Sequence, residues 1–171
     1  MRPRERRWHF LASLIRGCNL IDIIELGIRD GQTYFHLLEK CPLIKITGID
    51  IWAKIPYRDG KDDLKLWPHE ENERSVRERA KRFGSRAKLL KGLTDDLCEQ
   101  FSDASCDLIF IDADHTYDAV SKDIQNWRPK LRKGGFLTGH DIHWPEVRDA
   151  VDEHVIYYKV GPDNVWYTQI R

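Results

Sequence analysis

The residues best suited to chemistry stand where a short apolar run, Leu108-Ile-Phe-Ile111, stops at Asp112, Asp114 and His115. Two carboxylates beside an imidazole can hold a cation or pass a proton near neutral pH. The run reads as a buried strand, and in open α/β sheets ligands bind beyond the carboxyl ends of the strands. A second cluster follows one helix later, in Gly134-Gly-Phe-Leu-Thr-Gly-His-Asp141. His140 and His143 flank Asp141, so His-Asp-x-His could ligate a transition metal such as Zn²⁺ or Mn²⁺. No cysteine joins this cluster and no helical His-x-x-x-His spacing supports it, which ranks it below an oxygen-liganded Mg²⁺. Asp114 and His115 also have a plainer use, as caps of the helix that starts near Thr116.

The elements that must position these residues alternate strand and helix. A helical spacing over 5–16 precedes the predicted strand Leu20-Ile-Asp-Ile-Ile-Glu-Leu26, and residues 32–40 form a helix that ends before Pro42. Residues 44–50 are a second strand. Residues 52–70 lack periodicity and read as a long loop, and a charged helix spans 70–83. A strand over 87–92, a short helix over 95–101, the strand 107–111 and a helix over 117–131 follow. Residues 135–138 are the fifth strand, and Pro145 opens a helix to about His154. Strands over 155–160 and 165–170 flank the turn Gly161-Pro-Asp-Asn164, an antiparallel hairpin. The pattern predicts an α/β, Rossmann-like, doubly wound and mostly parallel seven-stranded sheet with a C-terminal antiparallel hairpin, one domain over 1–171.

Glu25-Leu-Gly-Ile-Arg-Asp-Gly31 lies between the first strand and its crossover helix. Glycines there allow close approach to a ligand. The spacing is not G-x-G-x-x-G, because Arg29 takes the middle position, so a dinucleotide pyrophosphate is disfavoured. An acid just before the first glycine suits a ligand with a positive amino group. Asp50, at the end of the second strand, can accept hydrogen bonds from both ribose hydroxyls. The plainer reading is a strand-to-helix turn and a loop cap. Acid and glycines at successive strand ends favour a nucleoside site.

The ordered set Asp112-x-Asp-His-x-Tyr117, the basic-Gly-Gly turn at 133–135 and His140-Asp141 resembles class I S-adenosylmethionine-dependent methyltransferases. It is most similar to a small bacterial group related to metal-dependent O-methyltransferases. The resemblance runs from about Leu20 to Trp166. It implies that Glu25, Gly27 and Gly31 hold the methionine end of S-adenosyl-L-methionine, that Asp50 binds the ribose and that Ile51 packs on the adenine. Thr94 and Asp95 would lie near the adenine amine and Asp112 beside the sulfonium. Asp112 and Asp141 would hold a divalent cation, Mg²⁺, which lowers the pKa of a substrate hydroxyl. His115 would take the hydroxyl proton. Arg29 departs from the glycine that many relatives have.

Composition sets the outer bounds. Lys+Arg and Asp+Glu are both 28, with no basic excess for a nucleic-acid surface. The Arg-rich start (Arg2, Arg4, Arg6, Arg7) reads as a solvated helix face or a frayed end. Four scattered cysteines fit a reducing compartment. No apolar stretch is long enough to span a bilayer and no signal-like h-region opens the chain, so a cytoplasmic protein without membrane contact is expected. Trp127 fits a helix core position and Trp166 a strand position. Trp52, Trp67 and Trp144 fall in or beside loops at the expected active-site edge. The expected activity is methyl transfer to a hydroxyl of a small molecule, a sugar or natural-product scaffold. The acceptor site would come from the N-terminal helix, the 52–70 loop and the segment after Asp141, or from a neighbouring subunit of a homodimer. Two alternatives stand: a module that binds S-adenosylmethionine without transfer, and an NAD(P)-dependent oxidoreductase.

Overall fold

The computed structural model describes residues 5–53 and 68–171. Along the chain run α1 (Arg7–Cys18), β1 (Asp22–Leu26), α2 (Gln32–Lys40), β2 (Lys45–Asp50), α3 (His69–Ala80), β3 (Ala87–Lys91), α4 (Thr94–Leu97), β4 (Cys106–Ile111), α5 (Tyr117–Trp127), β5 (Leu131–Gly139), α6 (Pro145–His154), β6 (Lys159–Val160) and β7 (Trp166–Gln169). The strands form one seven-stranded sheet in the order β3-β2-β1-β4-β5-β7-β6. Neighbours from β3 to β5 are parallel, while β7 runs antiparallel to both β5 and β6.

Successive strand side chains point to opposite faces, and here both faces are covered. Ile23, Ile46, Leu108 and Phe110 pack with Leu11 and Ile15 of α1 and Tyr34 and Leu37 of α2. Ile24, Ile49, Ile109 and Ile111 pack instead with Val120, Ile124 and Trp127 of α5 and Val147 and Val151 of α6. Apolar residues on both sides of a strand are what a sheet covered on both faces requires. The order reverses between β1 and β4: the chain first builds outward through β2 and β3, then returns to β4. That switch point opens a crevice beyond the carboxyl ends of the strands.

Several boundaries differ from the sequence reading, three of them toward the carboxyl-terminal half of the sheet. The helix begun at Tyr117 ends at Trp127, not Leu131, and a 3₁₀ turn, Arg128–Lys130, follows. Pro129 lies in that turn; it has no N–H to give and disfavours helical backbone in the residue before it. β5 consequently starts at Leu131, ahead of Gly135. The strand expected over 155–160 shrinks to Lys159–Val160, and Ile156 and Tyr157 before it are exposed. The antiparallel hairpin itself is present, with β7 seated between β5 and β6. Most of the expected 52–70 loop, with Trp67, lies outside the described residues.

Candidate active site

Hydrogen bonds one residue past the strands keep their ends level. The Asp112 amide donates to the Leu26 carbonyl at 2.8 Å, Gly27 to Ile49 at 2.8 Å and His140 to Ile111 at 3.0 Å. Gly27 has φ +85°, and a Cβ there would stand 2.2 Å from the backbone oxygen of Asp112. Only glycine lets β1 and β4 deliver their loops this close. Asp141 has φ 53°, a left-handed conformation uncommon for a residue with a side chain. It turns the chain out of β5, and its carboxylate comes to meet His115.

The result is a compact polar centre. His115 Nε2 lies 2.9 Å from Asp141 Oδ2 and 3.8 Å from Asp112 Oδ1. His140 Nδ1 lies 3.0 Å from the same Asp141 oxygen and 3.5 Å from Asp112 Oδ1. The His115–Asp141 contact is an ion pair whose N–H is not aligned as a hydrogen bond. One ligand atom from each of Asp112, His115 and Asp141 falls within 4.8 Å of the others, the spacing of groups that can share a metal ion. Arg7 enters from α1, its Nε 3.4 Å from Asp112 Oδ2.

Charge is tightly coupled here. Burial pushes the His115 and His140 imidazoles toward the neutral form, but contact with Asp112 and Asp141 outweighs it and holds both pKa values up at about 9. Burial would raise Asp112 and Asp141 as carboxylic acids; the two imidazoles instead hold both below the usual carboxylate range. The two carboxylates thus favour the protonated form of His115.

The cleft has a volume of about 650 Å³, and its walls include Gly27, Asp50, Ile51, Thr94, Asp95 and Asp112, with His115 and Asp141 at the same opening. The structure thus gathers most of the sequence-predicted site residues. Glu25 and Gly31 are not on its surface. Glu25 is 2% exposed, and burial together with the nearby Asp112 charge raises its pKa well above the usual value. Its Oε2 has no hydrogen-bond partner. Gly31 caps α2 and lies against the Phe35 ring.

Asp50 has partners within the chain. Its Oδ2 accepts the amides of Ile28 and Arg29, both at 2.8 Å, and its Oδ1 accepts that of Trp52 at 2.7 Å. The carboxylate therefore shapes the loop after β1 as well as facing the cleft. Asp114 caps the turn into α5 by accepting the Thr116 amide at 2.8 Å, the plainer of its two sequence readings, whereas His115 faces the centre. Trp52 is buried and lines the cleft, Trp144 is half exposed with its ring 5.3 Å from that of His115, and Trp127 and Trp166 are core residues.

Three residues escaped the sequence reading. Arg7 reads in sequence as part of a solvated run, yet it pairs with Asp112. Asp163 belonged to a turn signal, yet its Oδ2 accepts the Arg7 amide at 3.1 Å and lies 4.0 Å from His140 Nε2. Asp123, on the apolar-patterned α5, is 2% exposed and lines the cleft. Burial pushes its pKa up to about 7, partly offset by the Thr94 side chain, and its Oδ1 has no partner. A carboxylate on the inward face of α5 was the one available signal.

The donor set suits the groups the resemblance implies. An acid-lined cleft complements a cofactor with a sulfonium and an ammonium, and Asp123, one of its wall residues, has an oxygen with no partner. The carboxylates of Asp112 and Asp141 are hard oxygen ligands for a divalent cation.

Residues 24–142 match the Methyltransferase domain family, and the chain belongs to it. With its sheet order and strand-end cleft, it is a methyltransferase domain of the class I S-adenosylmethionine-dependent type. Solved structures share the fold. PaMTH1 of Podospora anserina, bound to S-adenosylhomocysteine, has a TM-score of 0.69 at 15% identity, over 96% of this chain and 78% of that one. The O-methyltransferase TomG of Streptomyces achromogenes, in complex with S-adenosylmethionine, has 0.68 at 14%, over 96% and 79%. CalS11, a TDP-rhamnose 3′-O-methyltransferase, has 0.62 at 17%, over 96% and 80%. In sequence, the chain is 26% identical over 131 residues to the uncharacterized protein y4gI of Sinorhizobium fredii (strain NBRC 101917 / NGR234). The match takes in 74% of this chain and spans 13% of that relative's length.

Proposed function

We propose that this domain transfers the methyl group of S-adenosylmethionine to a hydroxyl of a small, polyhydroxylated or aromatic acceptor, with a divalent cation at Asp112 and Asp141. The observation that carries the reading is the convergence of Asp112, His115 and Asp141 within 4.8 Å at one end of a cleft whose walls include Asp50. TomG and CalS11 are O-methyltransferases, which supports an oxygen acceptor and a sugar or natural-product scaffold.

The cofactor supplies a methyl group on a positively charged sulfur. The chain's own residues do the rest. Asp50 orders the loop after β1 and offers its remaining lone pairs to the ribose. Thr94, Asp95 and Ile51 line the cleft for the adenine, and Glu25, Gly27 and Gly31 shape the methionine end. Asp112 and Asp141 would hold a divalent cation, which would supply Lewis acidity toward the acceptor hydroxyl. His115, set between those carboxylates, would be the group that takes the hydroxyl proton. The half-exposed Trp144 beside His115 offers an aromatic face to the acceptor.

The imidazoles favour a second metal. His115 Nε2 and His140 Nδ1 approach Asp141 at 2.9 and 3.0 Å, and nitrogen donors suit Mn²⁺ or Zn²⁺ better than Mg²⁺. One assay tests both readings: S-adenosylhomocysteine formation with a hydroxylated acceptor panel, after chelation and with each metal restored. We expect loss of transfer in chelator and recovery with Mg²⁺ or Mn²⁺. Full turnover in excess chelator would remove the metal from the scheme.

A further inference from the structure

We infer that Arg7 recognises the α-carboxylate of the cofactor's amino-acid end; the inference rests on the S-adenosylmethionine reading above. Eight aspartates line the described cleft, against Arg7, Arg29 and Lys122 among the arginines and lysines. Such a wall suits a sulfonium and an ammonium. It repels the one negative group that S-adenosylmethionine carries, unless a cation is provided at that end.

Arg7 stands where that cation is needed. Among the described residues Asp112 pairs with Arg7, His115 and His140, and both imidazoles also lie against Asp141. Arg7 alone of the three reaches α2, where its Nε lies 3.1 Å from Thr33 Oγ1. Thr33 lies in the first turn of α2, where the Asp30 carboxylate already accepts the leading Gln32 amide at 3.4 Å. The guanidinium and the Thr33 hydroxyl are therefore the donors left for an anion, next to the close Gly27–Asp112 approach. Lys122 serves the other end, 3.7 Å from Asp95.

The placement is built rather than incidental. The Arg7 amide is held by Asp163 of the turn before β7, and the Arg7 side chain is 24% exposed. The guanidinium presents five donors in a fixed fork and stays charged at any working pH. A plain tie between α1 and Asp112 would need one of them.

Calorimetric binding of S-adenosylmethionine and of its decarboxylated form, to wild type, Arg7→Ala and Arg7→Lys, decides the matter. We expect wild type to prefer the carboxylate-bearing ligand by roughly ten- to a hundred-fold, the range of a charge-assisted contact. Arg7→Ala should erase that preference by weakening S-adenosylmethionine alone, and Arg7→Lys should retain part of it. If Arg7→Ala does not fold, a preference in Arg7→Lys equal to wild type overturns the inference and a reduced one supports it. An equal loss for both ligands would make Arg7 only a fastener of α1, and no loss would remove it from the site; either overturns the inference. Wild type that binds both ligands equally overturns this inference and leaves the cofactor reading standing, whereas wild type that binds neither overturns both.

Discussion

The two edges of the sheet each gather aspartates and basic side chains, yet they do opposite things with them. At the amino-terminal edge Arg132 Nη1 lies 2.8 Å from Asp22 and 2.7 Å from Asp107, and its Nη2 donates to the Ser105 carbonyl at 2.7 Å. The other Asp107 oxygen accepts the amides of Ile21 and Asp22, each at 2.9 Å. Burial alone would raise the Asp107 pKa; those amides and the guanidinium bring it below the usual range. At the carboxyl-terminal edge Asp112 and Asp141 face two imidazoles and Arg7, with an oxygen of Glu25 left unpartnered behind them. One edge is internally satisfied by a cation that cannot lose its proton. The other is satisfied by Arg7 together with two imidazoles, groups whose charge can change near neutral pH.

The comparison can be broken most severely at Asp112. Asp112→Asn should cut methyl transfer by about a hundred-fold or more, measured as S-adenosylhomocysteine release. Its folded fraction at pH 8 should stay near wild type, because His115 and His140 can deprotonate when a carboxylate is lost. Unfolding of this variant would place the carboxyl edge in the same structural class as the amino edge. At that edge the balance should reverse. Asp107→Ala strands two amides and Arg132, so it should cost about 1–3 kcal/mol and lower Tm by roughly 3–9 °C. Activity per folded molecule should be unchanged; a fall in kcat would tie the two edges together.

Asp123 sharpens the contrast, since it is a buried acid with no ion pair among the described residues. Its folded pKa of about 7 lies above that of the unfolded chain. The folded state therefore holds a proton that the unfolded state releases, and stability falls as pH rises from about 4 to about 7. Asp123→Asn removes that penalty. Its Tm should exceed wild type by roughly 5 °C at pH 8 and converge with it near pH 4. A gap independent of pH would mean that the carboxyl is already neutral or paired.

Much of this arrangement was readable in the chain. β4 announces itself by its continuous apolar run, and β1 and β2 by the isoleucines and leucine they bury; each ends at the acid or glycine on the cleft wall. The site acids were legible for that reason. The amino end of β5 was not. Arg132, Lys133 and Gly134 look like loop, and it takes the ion pair with Asp22 and Asp107 to explain why a strand begins there. The end of α5 was legible in Pro129 and was overrun by the apolar spacing around it. Arg7 and Asp163 left no local signal, because their roles depend on how α1 and the last turn dock, contacts 156 residues apart in sequence. The cramped backbone of Asp141 was equally invisible, since strand periodicity says nothing of the φ that follows its last residue.

The Asp163 carboxylate, which accepts the Arg7 amide and stands 4.0 Å from His140 Nε2, makes two distant stretches of the gene interdependent. A homologue that lost the acid from this turn would lose the tether on the α1 backbone and the carboxylate beside His140 in one step. Drift in the turn before β7 is thereby limited by the centre at the end of β5, the strand next to it.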